Sequence, residues 1–451
     1  MSNKKIVVLN GTGEEDNNLE YPFSVLTEVL ADADVKYYHL KEIKLAHCTG
    51  CFGCWTKTPG VCEIPDEGRE ISQAIIQSDM TILFTPVTFG GYSSVLKIIM
   101  DRIIPLLLPF FGTYYGEIHH KPRYSNYPRL VGIGIQPKFI KKEAELFKAL
   151  VGRNAINFHA PSFAADVFHD KEDRKTLKKS FRDLISRSDP FPVDTDIKSF
   201  FPEVDLTSLV DKQDVSRNAL HIVGSPKVKK RSTSSILGEH LLDPMISSGW
   251  KTEVLTLKGN LKQEKGQIEL CTAVDRSDLI ILAFPLYIDA LPYLVTKAFE
   301  IITRHQNILM DKKPKRIFTI VNNGFPEFNQ NALALGICRL FADQSGMSWA
   351  GFLALGAGES IGNGQKLNAT KRPGPPVKHI IEALDKAGTD LAMGRYVSLT
   401  AQSLISKTPI PLVSFGLWRK MYKIFGGQGW KRQALENGVQ KAKMYAKPYA
   451  D

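Results

Sequence analysis

The chain has 451 residues, which is too long for one ordinary hydrophobic core and predicts two domains. Its composition, 43% hydrophobic and 23% charged, is typical of a globular protein and excludes a disordered or fibrous chain. The longest apolar run, residues 103–111, is interrupted by two prolines and is too short to span a membrane. No signal-type segment follows the first residues, so we expect a cytoplasmic protein without an integral membrane segment.

The net charge of +11 raises the question of nucleic-acid binding. The basic residues are dispersed, with modest clusters at residues 171–179, 227–231 and 418–423, and no nucleic-acid-binding motif accompanies them. We therefore expect no nucleic-acid partner. A basic surface with a preference for phosphorylated small molecules explains the charge more simply.

The chain contains a diverged internal repeat. Residues 78–104 read SDMTILFTPVTFGGYSSVLKIIMDRII, and residues 277–302 read SDLIILAFPLYIDALPYLVTKAFEII. Upstream of these, IVVLNGTG at 6–13 corresponds to LHIVGSPK at 220–227. The same elements in the same order, twice, indicate that one domain was duplicated and fused.

Apolar strand patterns alternate with helical patterns in both copies. Strands are predicted at 5–9, 36–40, 81–85 and 130–135, and again at 219–223, 253–257, 279–284 and 316–321. Continuous apolar strands separated by helices predict an α/β protein with two doubly wound parallel sheets. The predicted division is a first domain at 1–169, a linker at 170–218 with a helix at 171–185, a second domain at 219–371 and a helical C-terminal extension at 372–451.

The loop after the first strand of each copy is a candidate anion site. A small-residue turn leading into a helix presents backbone N–H groups and the positive end of the helix, beyond the carboxyl ends of the strands. In the second copy this loop is rich in hydroxyl and basic side chains, with three more basic residues at 229–231. Its candidate phosphate ligands are Ser225, Pro226, Lys227, Ser232, Thr233 and Ser234.

The corresponding loop of the first copy has the opposite charge. Residues 11–24 carry four acidic side chains and neither lysine nor arginine. Two unit charges 4 Å apart interact by about 4 kcal/mol at the effective dielectric constant of a protein surface. The acidic loop should therefore weaken binding of a phosphate dianion, and we assign the phosphate site to the second domain. The first domain has lost its site or keeps a weaker one.

Two further loops of the second copy follow its third and fourth strands and could surround a flat ring. An aromatic side chain such as Tyr287 can stack on the ring, and loop N–H groups can contact its polar edge, although Tyr287 could also serve only in packing. The candidates are Pro285, Leu286, Tyr287, Ile288, Asn322, Asn323, Gly324 and Phe325. The candidates of the first copy are Thr12, Pro86, Val87, Thr88 and Phe89.

These motifs resemble a known group, the NADPH-dependent FMN reductase and iron–sulfur flavoprotein branch of the flavodoxin-like superfamily. The resemblance rests on LNGTG, a cysteine series and TPVTFGGYSSVLK followed by DR in the first half, and on VGSPK, STSS, FPLYIDALP and NNGFPE in the second. It implies a flavodoxin-like fold, bound FMN, NAD(P)H as electron donor and a homo-oligomer. The acidic first loop departs from the basic or hydroxyl-rich loop of the family.

Four of the six cysteines lie within fifteen residues. In a reducing compartment such clustering indicates metal or redox chemistry rather than disulfides. The series, Cys48, Cys51, Cys54 and Cys62, is similar to the ligand motif of iron–sulfur flavoproteins, which implies a [4Fe–4S] cluster. Zinc also accepts four thiolates, and a third interpretation is a glycine- and aromatic-rich loop that binds no metal.

The predicted function is an FMN-dependent NAD(P)H oxidoreductase in which hydride passes to the flavin and then to a small acceptor, such as a quinone, a flavin or a nitro compound. The chemistry belongs to the flavin, so no catalytic side chain is predicted. One alternative is an electron-transfer module that serves protein partners without nicotinamide turnover, and another is a scaffold. The extension, with Trp418, Tyr422 and Trp430 among basic residues, could lie on a membrane surface, but we favour a cap on a domain or a dimer contact.

Overall fold

The structure is a computed structural model that describes residues 4–203, 217–227, 231–310, 313–361, 364–367, 377–408 and 413–450. The chain divides into two compact units. The first comprises Met1–Asp196 together with Met421–Asp451, and the second comprises Ile197–Lys420.

The first unit is built on a parallel sheet with the strand order β2-β1-β3-β7-β8, and β4 pairs antiparallel with β3. Its strands are β1 (Lys5–Asn10), β2 (Asp34–His39), β3 (Met80–Thr88), β4 (Gly91–Tyr92), β5 (Leu107–Tyr114), β6 (Glu117–Pro122), β7 (Arg129–Gln136) and β8 (Phe163–His169). Its helices are α1 (Glu20–Val29), α2 (Gly53–Thr56), α3 (Gly68–Ile76), α4 (Ser94–Met100), α5 (Lys141–Asn157) and α6 (Arg174–Ser186), and α7 (Asp194–Ile197) lies where this unit ends. Strands β5 and β6 form a separate antiparallel hairpin.

The second unit has a five-stranded parallel sheet with the order β10-β9-β11-β12-β13. Its strands are β9 (Asn218–Val223), β10 (Lys251–Thr256), β11 (Leu279–Pro285), β12 (Arg316–Asn322) and β13 (Ser348–Leu355). Its helices are α8 (Thr233–Ser247), α9 (Glu264–Arg276), α10 (Tyr293–Ile308), α11 (Ala332–Gln344), α12 (Lys378–Ala392) and α13 (Leu399–Ile405). Helix α14 (Phe415–Phe425) runs across the division into the first unit, which also contains α15 (Gln428–Glu436).

Both parallel sheets have the same connectivity, in which the first strand lies between the second and the third and the fourth and fifth follow. This is the order of flavodoxin-like folds, whose ligands bind at the carboxyl ends of the strands near the point where the strand order reverses. The predicted fold class, two doubly wound flavodoxin-like domains with a helical C-terminal region, is confirmed. All eight predicted strands are present within a few residues of their predicted ends.

The predicted linker at 170–218 is too long. Helix α6 lies inside it, and its Leu177, Phe181 and Leu184 are buried in the core of the first sheet. A helix with such an apolar face cannot serve as a solvated connector, because exposing that face would cost the free energy of its burial. Residues 204–216 of the proposed linker lie outside the described residues.

The predicted C-terminal extension at 372–451 is divided between the two units. Helices α12 and α13 belong to the core of the second unit, where Ile380, Leu384, Leu391 and Ile405 are buried. Residues from Met421 onward belong instead to the first unit. Helical periodicity alone could not locate this division, because it gives the apolar face of a helix but not the surface that covers it.

His221, in the middle of β9, is a buried polar residue within the second core. Its side chain is 0% exposed, and a Cβ added to Gly238 of α8 would lie 2.0 Å from its Nε2. Burial lowers the pKa of His221 from 6.5 to about 4. The imidazole is therefore neutral in the folded protein at pH 7, and acid protonates the unfolded state first.

We predict that His221→Leu reduces the acid sensitivity of folding. In the natural protein the unfolding free energy should fall by about 2 kcal/mol more between pH 7 and pH 5 than in the variant, since the folded pKa lies below the unfolded one and stability is lost as pH falls between them. Urea denaturation at pH 7 and pH 5 measures the unfolding free energy of each protein. Equal losses in the two proteins would contradict the prediction.

Candidate functional site

The turn after β9 in the second unit approaches β11 and α10 closely. The N–H of Gly224 donates to the carbonyl of Ala283 at 2.8 Å. A Cβ at this position would lie 2.4 Å from Cγ2 of Val295 and 2.8 Å from Cβ of Phe284. Only glycine fits at this position, so the turn can bring Ser225 directly to the carboxyl end of the sheet.

Helix α8 begins next to this turn with an N-terminus suited to an anion. The hydroxyl of Ser232 caps the helix and accepts from the N–H of Ser235 at 3.1 Å. The N–H groups of Thr233 and Ser234 precede that bond in the first turn, where a helix offers them no acceptor. Two amides, the hydroxyl of Ser232 and the positive helix end can therefore bind a phosphate group.

Side-chain hydrogen bonds join this helix end to the other loops of the second unit. The Ser234 hydroxyl donates to Oδ1 of Asn322 at 2.8 Å, and the Thr233 hydroxyl donates to the carbonyl of Gly358 at 3.2 Å. The N–H of Leu286 donates to the carbonyl of Asn322 at 2.8 Å. The loops after β9, β11, β12 and β13 are thereby held at one edge of the sheet.

All candidate residues of the second copy lie at this edge. Ser225, Ser232, Ser234, Asn322 and Asn323 are buried, whereas the Pro285–Ile288 and Gly324–Phe325 segments are half-buried. Asn323 shapes the fourth-strand loop, because its Oδ1 accepts from the N–H of Phe325 at 2.9 Å and its Nδ2 donates to the carbonyl of Glu327 at 2.9 Å. The edge thus presents a rigid loop frame with partly exposed apolar and aromatic side chains, which suits a flat ring.

The loop after the third strand has the same unusual backbone in both units. Ile288 and Asp289 have φ of 50° and 54°, and the corresponding Phe89 and Gly90 have φ of 53° and 78°. Left-handed residues at both central positions make a tight turn, closed by the pairing of Tyr287 with Ala290 in the second unit. Non-glycine residues in this region are strained, and such strain concentrates at ligand sites.

The basic side chains contribute less to the second-unit site than the sequence suggests. The Arg231 guanidinium forms an ion pair with Glu239. Lys227 is exposed and lies within electrostatic range of the Glu359 carboxyl, while Lys229 and Lys230 lie outside the described residues. In the described part of this site, backbone N–H groups, hydroxyls and the Lys227 side chain are the groups that could meet an anion.

The first-unit loop already contains an anion of its own. The N–H of Gly13 donates to Oδ2 of Asp16 at 2.6 Å, and the N–H of Thr12 donates to Oδ1 of Asn10 at 3.0 Å. The Asp16 carboxylate places a negative charge in this loop and occupies a backbone N–H that an anion could otherwise use. The corresponding loop of the second unit, residues 224–232, carries no acidic side chain.

The remaining candidates of the first unit also lie at the carboxyl end of its sheet. Pro86–Thr88 are the half-buried last residues of β3, and Phe89 is buried in the turn that follows. The Ser93 hydroxyl donates to the carbonyl of Gly11 at 2.6 Å and caps α4. The same arrangement of loops at the sheet edge is therefore present in this unit, with the Asp16 carboxylate in the loop after β1.

The four clustered cysteines occupy the loop between β2 and α3. Burial raises the pKa of Cys48 to about 12 and that of Cys54 well above its usual value, and neighbouring thiolates raise both further. Cys51 is exposed, and backbone N–H groups of Gly50 and Gly53 donate to the sulfurs of Cys48 and Cys51 at 3.5 and 3.4 Å. Sulfurs that share electrostatic interactions and accept N–H bonds resemble the environment of a thiolate-bound cofactor.

The thiols do not form a preformed site for a single ion. Among the described residues, which include all six cysteines, no group of three or more His, Cys, Asp or Glu side chains could hold one metal ion. The zinc interpretation therefore has no structural support. A [4Fe–4S] cubane binds each thiolate to a different iron and so needs a wider spacing of the sulfurs than a mononuclear ion does.

The C-terminal segment of the first unit packs over the cysteine loop. Cys54, Trp55, Trp430, Ala434 and Met444 are buried in one apolar cluster. The Trp430 ring lies 4.7 Å from that of Phe52 and 5.3 Å from that of Trp55, measured between centroids.

Arg123 joins the same C-terminal segment to the β5–β6 hairpin by hydrogen bonds. The Arg123 guanidinium donates to the carbonyls of Met444 and Ala446 at 3.0 and 2.7 Å, and to the carbonyl of Leu107 at 3.1 Å. The Trp55 indole donates to the same Leu107 carbonyl at 3.0 Å. The last residues of the chain therefore form one wall of the cysteine site.

Residues 4–124 match the family model described as NADPH-dependent FMN reductase. The resemblance inferred from the motifs is confirmed for this segment. The chain is 32% identical over 108 residues to an iron–sulfur flavoprotein of Methanocaldococcus jannaschii, a match that covers 24% of this chain and 55% of that protein. It is 26% identical over 104 residues to an iron–sulfur flavoprotein of Archaeoglobus fulgidus, covering 22% and 48%. The chain thus spans about half the length of these curated relatives.

Among solved structures, the NAD(P)H:quinone oxidoreductase of Methanothermobacter marburgensis is similar, with 15% identity, a TM-score of 0.29 and coverage of 39% of this chain and 98% of that one. The family match lies within the first unit, whose loop after β1 contains the Asp16 carboxylate. Among the described residues, no helix is long and apolar enough to cross a bilayer.

Several residues that shape these sites were missed at the sequence level. Gly358 and Glu359 follow β13, a strand that the sequence analysis did not locate. The C-terminal aromatic residues contact the cysteine loop, and Arg123 binds the segment that follows them, from positions distant in the chain, so no local pattern could reveal them. The acidic composition of residues 11–24 was noted, but not the hydrogen bond from Gly13 to Asp16.

We predict that Trp430→Ala opens the cysteine loop. Removing a buried indole costs several kcal/mol of packing, and the alkylation rate of Cys54 in metal-free protein should rise about tenfold. Leu435→Ala is the matched control, because Leu435 lies on the same helix with 63% of its surface exposed. Residue-resolved mass spectrometry after iodoacetamide treatment measures both rates. Equal Cys54 rates in the two variants would disprove the covering role.

Proposed function

We propose that this protein is an FMN-dependent NAD(P)H oxidoreductase that binds its flavin in the second domain. The observation that carries the proposal is the N-terminus of α8, where the amides of Thr233 and Ser234 lie in the first turn and the hydroxyls of the same two residues donate to Gly358, after β13, and to Asn322, at the end of β12. The family match of residues 4–124 supports flavin chemistry in the chain as a whole.

In the second domain, different residues would bind the phosphate and the ring of FMN. The N–H groups of Thr233 and Ser234 and the Ser232 hydroxyl hold the phosphate, and Gly224 lets the chain approach it. The half-buried Pro285–Ile288 and Asn322–Phe325 segments border the ring, with Tyr287 as an aromatic surface. Bound FMN would accept hydride from NAD(P)H and supply the redox chemistry, so the protein needs to position the nucleotide rather than transfer protons.

The acceptor is a small molecule that enters the space left by the oxidised nicotinamide, and a quinone, a flavin or a nitro compound has the required flat shape and redox chemistry. The relatives named iron–sulfur flavoproteins and the four coupled thiols support a second redox group in the first domain, a [4Fe–4S] cluster held by Cys48, Cys51, Cys54 and Cys62. Such a cluster would carry single electrons. We also infer a homo-oligomer as the working form.

We predict that the purified protein is yellow and that its flavin absorption bleaches when NADPH or NADH is added without oxygen. Dithionite serves as the reference for complete reduction. Bleaching by dithionite but by neither nicotinamide would overturn the reductase proposal and favour the electron-transfer module. Colourless protein that takes up no added FMN would overturn both.

We predict that Ser232→Asp weakens FMN binding about 10- to 100-fold, because a carboxylate beside the phosphate repels it. The fold of the apoprotein should be unaffected, since aspartate caps helices as well as serine does. Ser398→Asp is the matched control: Ser398 caps α13 in the same unit and accepts from the N–H of Ala401. Fluorescence titration of apoprotein with FMN measures the affinities. Equal affinity in the two variants would contradict the phosphate assignment.

A further inference from the structure

The cysteine loop is closed at its two ends by one buried arginine, Arg102, which follows α4. Its side chain is 1% exposed. One terminal nitrogen donates to the carbonyl of Ala46 at 2.9 Å and to Oδ2 of Asp66 at 2.6 Å. The other donates to the sulfur of Cys62 and to the carbonyl of Ile64, both at 3.5 Å. All four clustered cysteines lie between the two ends that this guanidinium joins.

Asp66 completes the closure. Its carboxylate accepts from the N–H of Ala46 at 2.9 Å and from the N–H of Gly68 at 3.1 Å, in addition to its ion pair with Arg102. Burial would raise the pKa of Asp66, but the hydrogen bonds from Arg102 and from Ala46 outweigh burial and lower it. Ala46, on the N-terminal side of the cysteine series, and Gly68, on its C-terminal side, are thus both hydrogen-bonded to Asp66 of the ion pair with Arg102.

Gly68 packs directly against this guanidinium. A Cβ at Gly68 would lie 2.8 Å from Cζ of Arg102, so a side chain there would displace the arginine. Lysine could keep the charge at this site, but it lacks the planar fork that reaches the Ala46 carbonyl, Asp66 and the Cys62 sulfur together.

We propose that Arg102 is a positioning residue of the cysteine site, which closes the loop between residues 46 and 66 and holds the sulfur of Cys62 by a hydrogen bond. The proposal rests on the proposed function in one respect, the identity of the clustered thiols as ligands. Hydrogen bonds to ligand sulfurs fix their direction and offset the negative charge of a four-thiolate cluster. The closed loop keeps the segment that carries the four cysteines in place before any cofactor binds.

The test compares Arg102→Lys with Arg69→Lys in the full-length protein. Arg69 donates to the carbonyls of Cys62 and Glu63 at 2.8 and 3.1 Å but not to the Cys62 sulfur, so it is a matched control in the same segment. In Arg102→Lys we expect iron bound after anaerobic reconstitution with iron and sulfide to fall about tenfold. Alkylation of Cys48 in the metal-free protein should rise about tenfold as the loop opens. In Arg69→Lys, bound iron and the alkylation rate of Cys48 should both stay close to those of the natural protein.

Asp66→Asn provides the second variant if Arg102→Lys does not fold, because its amide oxygen can still accept from the N–H of Ala46, while the charge and the acceptor for the N–H of Gly68 are lost; it should change both readouts in the same direction by a smaller factor. FMN affinity, which we assign to the other domain, should stay unchanged in every variant. Alkylation and iron binding that are equal in the arginine-102 and arginine-69 variants would overturn the proposal. If the natural protein binds no iron, the cluster assignment fails while the alkylation difference still decides the role of Arg102.

Discussion

The N-terminus of a helix can bind an external anion only while the N–H groups of its first turn lack an acceptor of their own. The two domains differ in the loop that leads to this helix. In the second, the cap formed by Ser232 satisfies the N–H of Ser235 and leaves the amides of Thr233 and Ser234 for a ligand. In the first, the Asp16 carboxylate lies in the loop before the helix and accepts from the N–H of Gly13. Two domains with the same strand order therefore differ in the charge and hydrogen bonding of this loop.

The duplicated fold lets each copy specialise. The second copy keeps the edge at which four loops meet, and its ties through Asn322 and Gly358 make that edge rigid before a ligand arrives. The first copy carries the cysteine loop, which Arg102 closes from within and the segment around Trp430 covers from outside. The proposed nucleotide site and the cysteine loop therefore lie in different units of the chain and use different loops.

The sequence was sufficient for the repeat, eight strands and the fold class, because buried parallel strands read as continuous apolar runs. It also placed the loops of the second-domain site, since the carboxyl ends of parallel strands share one edge. The fifth strand of each sheet, the β5–β6 hairpin and the domain boundaries were missed. Helix α6 was predicted as a helix but assigned to the linker, and the residues after Met421 were assigned to a separate extension, because the apolar face of a helix does not reveal which surface it packs against. Likewise, no local pattern indicates that Arg102 reaches Ala46 and Asp66.

Amide hydrogen exchange with single-residue resolution, measured with and without FMN, tests the central assignment most directly. Binding of the phosphate at α8 should slow exchange at Thr233 and Ser234 while the amide of Gly13, already bonded to Asp16, keeps its rate. Protection that develops at Gly13 and Thr12 with no change at Thr233 and Ser234 would contradict the assignment of the flavin to the second domain.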